Sequence, residues 1–256
     1  MSSFETFKQL HKGSAPFLLG NIWDVNSAKV FEANGYKAIG VSSQALANSF
    51  GYEDGENLPF DLLLRVARRV CEIVSIPFTV DLEGGYSRTI DGILENINKL
   101  HDAGVVGINL EDTIPGAKRQ FQSVNEFEKI LSEAAGHISR NNMNLFLNIR
   151  TDGFLLGMPT ALNETLTRIK AYESAGANGI FVPCITNSSD IKEVVSATSL
   201  PVNVMCMPDL PGFEELGALG VKRISMGPFL FNKVYDNAAK LAKAVIDDRN
   251  FSSLFK

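Results

Sequence analysis

The 256 residues predict an α/β chain closed into a single (β/α)8 TIM barrel, with 236–256 as an extra C-terminal helical segment. Three observations predict it. Eight short apolar, β-branched runs alternate with longer amphipathic stretches along the whole chain, matching the size of a (β/α)8 barrel. Glycine stands between helical stretch and following run in "FEANG", "HDAG", "ESAG" and "GALG", where a left-handed helix cap belongs. The alternative, a doubly wound open sheet, calls for a G-x-G-x-x-G turn after the first run, and none is present.

The elements follow in order. The predicted strands are "PFLLGNI" (16–22), "KAIGVSS" (37–43), "PFTVDLE" (77–83) and "VVGINLE" (105–111), then "LFLNIR" (145–150), "GIFVPC" (179–184), "PVNVMC" (201–206) and "VKRISM" (221–226). Each is short, apolar and bounded by polar or turn residues, as a strand buried on both faces should be. Helical periodicity fills 60–74, 89–104, 123–139 and 161–176. The last stretch, from Gly227 to Phe255, carries an eighth helix and a further apolar piece, which is expected to pack on a neighbouring subunit. No linker or low-complexity tract divides the chain, so 1–256 is expected to be one domain.

Composition narrows the function classes. A net charge of −5 with no concentrated basic run argues against nucleic acid and anionic membranes. No apolar stretch approaches the ~18 residues of a membrane span, and "MSSFETFKQLHKG" lacks the apolar core of a secretory signal. Cys71, Cys184 and Cys206 are too scattered for a disulfide framework or zinc knuckle and read as buried small hydrophobes. A cytoplasmic enzyme is the expectation.

In a barrel of this kind the carboxyl ends of the strands face the active-site mouth. Those ends carry Asn21, Trp23 and Asp24; Ser42, Ser43 and Gln44; Asp81 and Glu83; Glu111 and Asp112; Asn148, Arg150 and Asp152; then less polar groups and Ser225. Asp81 and Glu83, two apart, should share a strand face. Acids crowded on neighbouring strands repel unless a cation lies among them, and oxygen donors without a His or Cys cluster select Mg2+, with Mn2+ possible, over zinc. Asp81 and Glu83 could instead cap a helix or pair with Arg88. Gly84 and Gly85 fit either a close ligand approach or an ordinary tight turn. His11, His101 and His137 fall away from the predicted mouth and are expected at the surface.

Five stretches in register extend this reading. "VDLEGGYS" resembles the Asp-x-Asp-(Thr/Gly)-Gly-(Tyr/Phe)-Gly motif of the isocitrate lyase/phosphoenolpyruvate mutase superfamily. "GNIWDVNSAKVFEANGYKAIGVSSQALANSFGYED" is similar to its first two strands, "GVVGINLED" to its Glu-Asp strand, "LNIRTDGF" to its Ala-Arg-Thr-Asp strand and "GVKRISMGP" to its last strand. The resemblance spans roughly 16–235. It implies a (β/α)8 barrel that binds Mg2+ and a 2-oxo acid or its enolate and makes or breaks a C–C or P–C bond.

Carried over residue by residue, the resemblance implies direct metal contact by Asp81, metal-bound waters held by Glu83 and Glu111, and Asp54, with Glu53 as the alternative, as the acid after strand two. It implies that Ser42, Ser43 and Arg150 bind the substrate carboxylate. The motif's second aspartate is Glu83 here and its final glycine Ser87. The Lys-(Lys/Arg)-Cys-Gly-His loop of isocitrate-type lyases is replaced by "DTIPGAKRQFQS", without cysteine or histidine, which points away from isocitrate or methylisocitrate cleavage. Lys118 and Arg119 are the catalytic candidates of that loop, which also suits a mobile cover or a plain basic turn. Trp23 could line the pocket or simply pack.

The expected activity is therefore Mg2+-dependent lyase or mutase chemistry at C3 of a small 2-oxo acid or phosphonate, through an enolpyruvate-like intermediate. An oxaloacetate-type hydrolase or decarboxylase, and a non-catalytic barrel that keeps ligand binding, are the alternatives. A homodimer or homotetramer is expected.

Overall fold

The computed structural model describes residues 1–115 and 119–255, so Lys118 lies outside the described residues. Eight parallel strands close a barrel: β1 (Phe17–Ile22), β2 (Ala38–Val41), β3 (Phe78–Asp81), β4 (Gly107–Glu111), β7 (Phe146–Arg150), β8 (Gly179–Val182), β9 (Val202–Met205) and β10 (Arg223–Ser225). The cycle runs β1-β10-β9-β8-β7-β4-β3-β2, the (β/α)8 barrel the sequence predicts. Each strand lies inside its predicted run, trimmed by one to three residues.

The outer ring comprises α2 (Val25–Ala33), α3 (Ser43–Ser49), α4 (Phe60–Ile73), α5 (Ile90–Asp102), α6 (Val124–Arg140), α7 (Ala161–Ser174), α8 (Ser188–Ser196), α9 (Phe213–Ala218) and α10 (Phe229–Asp248). Its main members start and stop where local chemistry dictates. Thr89 caps α5 by accepting from Gly92 N, and Ser123 and Glu126 form a capping box on α6. Gly104, at φ 97°, follows the α5 cap residue in the left-handed conformation that glycine tolerates best. The apolar faces, such as Leu63, Leu64, Ala67 and Val70 on α4, pack on the outward residues of the strands in one continuous core. Among the described residues no helix is long and apolar enough to cross a membrane.

Two elements escape the sequence-level reading. Helix α1 (Ser3–Leu10) lies across the amino-terminal end of the barrel and inserts Phe7, fully buried against Leu19, Ala38, Val106 and Phe146. His11 follows it inside. Contrary to its expected place at the surface, its ring is 7% exposed and stacks on Phe146 with centroids 4.4 Å apart. Burial, with Arg223 adding to it, pushes its pKa down to about 3. The second is an antiparallel hairpin, β5 (Thr113–Ile114) and β6 (Gln120–Phe121), raised from the end of β4.

The barrel interior is polar at mid-height. Asn148 on β7 donates to Asn109 on β4 at 2.8 Å and to Asn203 on β9 at 3.3 Å, and Asn203 donates to Ser225 Oγ at 3.2 Å. Strand β8 separates β7 from β9, so the Asn148–Asn203 bond crosses the lumen. Gly179 on β8 leaves the room: a Cβ there would come 2.9 Å from Asn148 Oδ1.

Candidate active site

A cavity of about 150 Å3 opens at the carboxyl end of the strands, walled by Ser42, Ser43, Asp54, Asp81, Arg119 and Arg150 among others. Register explains the central pair. Glu111 and Arg150 are directly opposed on β4 and β7, and Arg150 Nη1 lies 3.2 Å from Glu111 Oε2. The rest of the guanidinium is held as a fork, Nε 2.7 Å from Asp152 Oδ1 and Nη2 3.2 Å from Asp152 Oδ2. Asp81, the last residue of β3, lies 3.8 Å from Arg150 Nη1 and accepts from Ser43 Oγ at 2.9 Å. Ser42 caps α3, and its hydroxyl accepts from Ala45 N at 3.4 Å.

The hairpin delivers Arg119 from above. Its Nη1 meets Glu111 Oε1 and stands 3.1 Å from Asp152 Oδ2, while Nη2 is 3.8 Å from Asp54 Oδ2. Thr113, on the same hairpin, donates to Asp152 Oδ2 at 2.9 Å. Asp152 is thus the common anchor of both arginines, a role implicit in "RTDGF" but not assigned from it. The base of the hairpin is tied down from behind. Asp112 accepts from Tyr172 at 2.8 Å and lies 3.3 Å from Arg168, whose guanidinium covers Phe121 at 3.9 Å and donates to Gln122 O at 3.1 Å.

Three expected site residues are not brought to the cavity wall. Trp23 packs edge-on against Phe231, ring centroids 5.3 Å apart, and beside Ala45, so its indole is core rather than pocket lining. Glu83 lies beyond β3, in a left-handed turn at φ 50°, so strand alternation does not carry it onto the face of Asp81. Its carboxyl accepts from Glu56 N at 3.0 Å and Tyr86 Oη at 3.1 Å. Glu111 is fully buried behind the two arginines. Arg88 pairs with Glu56, not with Asp81 or Glu83. Gly85 serves packing: at φ 101° its missing Cβ leaves space that Ile93 fills, 2.6 Å from where that atom would be.

The cluster is rich in acid. Among the described residues, Asp54, Asp81, Glu111 and Asp152 are paired by Arg119 and Arg150, and Glu83 has no ion-pair partner. Burial, then repulsion from Asp54, Asp81 and Glu111, pushes the Glu83 carboxyl up to about 9, so it holds its proton at neutral pH. Burial likewise raises Glu111, with Arg150 opposing, and burial and Asp81 raise Asp54. Burial would also raise Asp152, but Arg150 and Arg119 outweigh it and hold that group below the usual carboxylate range.

These residues fit a hard divalent cation. Asp54 Oδ1 and Asp81 Oδ1 are buried without a hydrogen-bond partner among the described residues, on side chains that line the cavity. Among the described residues no three Asp, Glu, His or Cys side chains converge into a complete ligand set. The pair Asp54 and Asp81 suits Mg2+, which takes one or two carboxylates and completes its shell with water and substrate oxygens.

Comparison with known proteins bears on this geometry. An uncharacterised protein of Mycobacterium tuberculosis is 32% identical, the match covering 94% of this chain and 89% of that one. An oxaloacetate decarboxylase of a Bradyrhizobium species is 27% identical over 80% of this chain and 70% of its own length, and the 2-methylisocitrate lyase of Escherichia coli 26% over 78% and 66%. Among solved structures, a candidate phosphonomutase from Burkholderia cenocepacia superposes with a TM-score of 0.89 at 35% identity, covering 94% of this chain and 99% of that one. A phosphonopyruvate hydrolase in complex with oxalate and Mg2+ shares the fold at 20% identity and a TM-score of 0.87, covering 98% of this chain and 89% of that one. Residues 7–246 match the family model described as phosphoenolpyruvate phosphomutase, and the chain belongs to that family of the phosphoenolpyruvate mutase/isocitrate lyase superfamily, whose members are lyases and mutases.

Proposed function

We infer that this enzyme breaks or makes a bond at C3 of a small 2-oxo acid, with Mg2+ held by Asp81 and Asp54. The observation that carries the reading is the meeting, in one cavity of about 150 Å3, of two unpartnered carboxylate oxygens with the guanidiniums of Arg150 and Arg119. When bound, Mg2+ supplies Lewis-acid stabilisation of the negative charge that develops on the oxo oxygen as the bond to C3 breaks. Arg150 grips the substrate carboxylate. Its orientation is fixed in advance by the Asp152 fork, so little reorganisation is needed on binding. Arg119 adds a second positive charge from above and, with the hairpin, excludes water. Ser43 holds Asp81 in place through its hydroxyl.

A second reading, decarboxylation of an oxaloacetate-like acid by the same residues, draws support from the oxaloacetate decarboxylases among the relatives. It leads to the same enolate with CO2 as the departing group. The protein works as a homodimer or homotetramer in this reading, α10 supplying the contact through its exposed Val234, Tyr235, Leu241 and Ile246. Sedimentation velocity of the wild type would return a monomer if that is wrong.

Titration with oxalate, an enolpyruvate mimic, tests the site. Wild type should bind it only with Mg2+, Asp81→Ala should abolish binding, and Arg150→Ala should weaken it by about 1.5–3 kcal/mol, as for a charge-assisted hydrogen bond. Unchanged affinity in both variants would falsify the assignment. A panel of phosphonopyruvate, oxaloacetate, 2-methylisocitrate and substituted malates then separates the chemistries by the product released: phosphate, oxalate, CO2 or succinate.

A further inference from the structure

One cation in the barrel takes no part in the rim. Arg223, on β10, is 2% exposed, and its side chain makes no hydrogen bond or salt bridge among the described residues. Nε and Nη1 are both buried without a partner. An ionised group so placed is costly unless something pairs with it. Burial lowers its pKa to about 9, with Asp81 opposing, so it remains charged at neutral pH.

Position shows where a partner would come from. Arg223 is two residues earlier on β10 than Ser225 and so one rung deeper in the barrel than the rim. Below it the route is closed: the guanidinium carbon stands 5.9 Å from the Phe7 ring centroid, and His11 beside Phe7 is neutral. Above it the side chain forms part of the floor of the same cavity that Arg150 and Asp81 wall. Asp81 acts on it only through charge: among the described residues no hydrogen bond or salt bridge joins the two side chains.

Resting on the reading of the rim given above, we propose that Arg223 is the specificity residue for a second anionic group of the substrate, remote from the metal-chelating 2-oxo end. The substrate class is then a compact 2-oxo acid bearing a carboxylate or phosphonate two carbons from its oxo-acid carboxylate. A monoanionic acid satisfies the rim and leaves Arg223 unpaired, and a site that leaves a buried cation unpaired discriminates against it.

Calorimetric titrations in the presence of Mg2+ test this with four probes: oxalate, lactate, malate and 2-hydroxy-3-phosphonopropanoate. Lactate and malate share the chelating hydroxy-acid end and differ in the second anion. In wild type, malate or the phosphonate should bind at least tenfold more tightly than lactate, and the tighter of the two identifies the group Arg223 reads. Arg223→Met should erase that preference while oxalate and lactate affinities change less than threefold. Should Arg223→Met fail to fold, Arg223→Lys carries the same comparison, with the preference cut three- to tenfold. A preference that survives in the variant while oxalate still binds overturns the proposal and leaves the rim reading standing. An equal loss of all four ligands with a lowered melting temperature makes Arg223 structural and also overturns it. Failure of wild type to bind oxalate removes both.

Discussion

Replacing Arg150 by Met tests the electrostatic core of the site in the protein without ligand. The guanidinium faces three buried acids: Asp152 at 2.7 and 3.2 Å, Glu111 at 3.2 Å and Asp81 at 3.8 Å. Removing one partner of a buried pair costs about 3–5 kcal/mol because the other charge stays behind unpaired. At roughly 2–4 °C per kcal/mol for a chain of this size, the melting temperature should fall by about 6–20 °C at pH 8. The sign with pH follows from the groups left behind. Glu111, pushed up to about 8 by burial with Arg150 opposing, goes higher still without Arg150, so it is largely protonated below pH 8 in both proteins and adds little to the difference. Asp152, held below the usual range by Arg150, loses that support and moves the same way. Protonation relieves the repulsion, so the deficit should shrink between pH 8 and pH 5.5. Differential scanning fluorimetry of both proteins at the two pH values reads it. A deficit under about 2 °C, or one identical at both pH values, refutes the reasoning.

Three further outcomes are expected. His11, with its folded pKa near 3 against an ordinary 6.5, stays neutral where the unfolded chain takes a proton, so this contribution is complete above pH 6.5 and is lost as pH falls towards 3. His11→Phe should remove a slope of about 1.4 kcal/mol per pH unit between pH 6 and 4 in urea unfolding, and an unchanged slope would show that the ring is not buried in solution. Gly85→Ala, forcing a Cβ onto Ile93 at a positive φ, should cost more than about 1 kcal/mol, with Gly84→Ala, at a φ outside that region, costing less. Arg168→Met leaves Asp112 without its cation and frees Phe121 and Gln122, so hydrogen exchange at Gln122 N–H, bonded to Asp112 O at 2.9 Å, should quicken at least tenfold. No change there would mean that the hairpin holds itself.

The barrel was legible because its strands are buried on both faces and its helices on one, and each condition writes its own period into the sequence. The rim was legible for residues at strand ends: Asp81 and Arg150 line the cavity where the run lengths put them. Glu83 was misplaced because alternation stops when the strand stops, and β3 ends at Asp81 rather than at residue 83. Trp23 was misplaced because its neighbour, Phe231, lies far along the chain. His11 was misread although Phe7 and His11 are four apart on one helical face, a spacing that already joins them. Arg223 shares an inward parity with Ser225 that could have been read, but arginine so seldom lies buried that residue type overrode it.

The β5–β6 hairpin leaves β4 at Asp112 and returns to it at Gln122, whose N–H closes on the Asp112 carbonyl. Departure and return are pinned to the same spot, so the number of residues between them is not set by the register of the barrel strands. Such a span is an exchangeable cassette: its residues can be shortened, extended or rewritten while the eight strands keep their register. One scaffold can thereby acquire new covers over the mouth without refolding, and the floor and the cover become free to diverge at different rates.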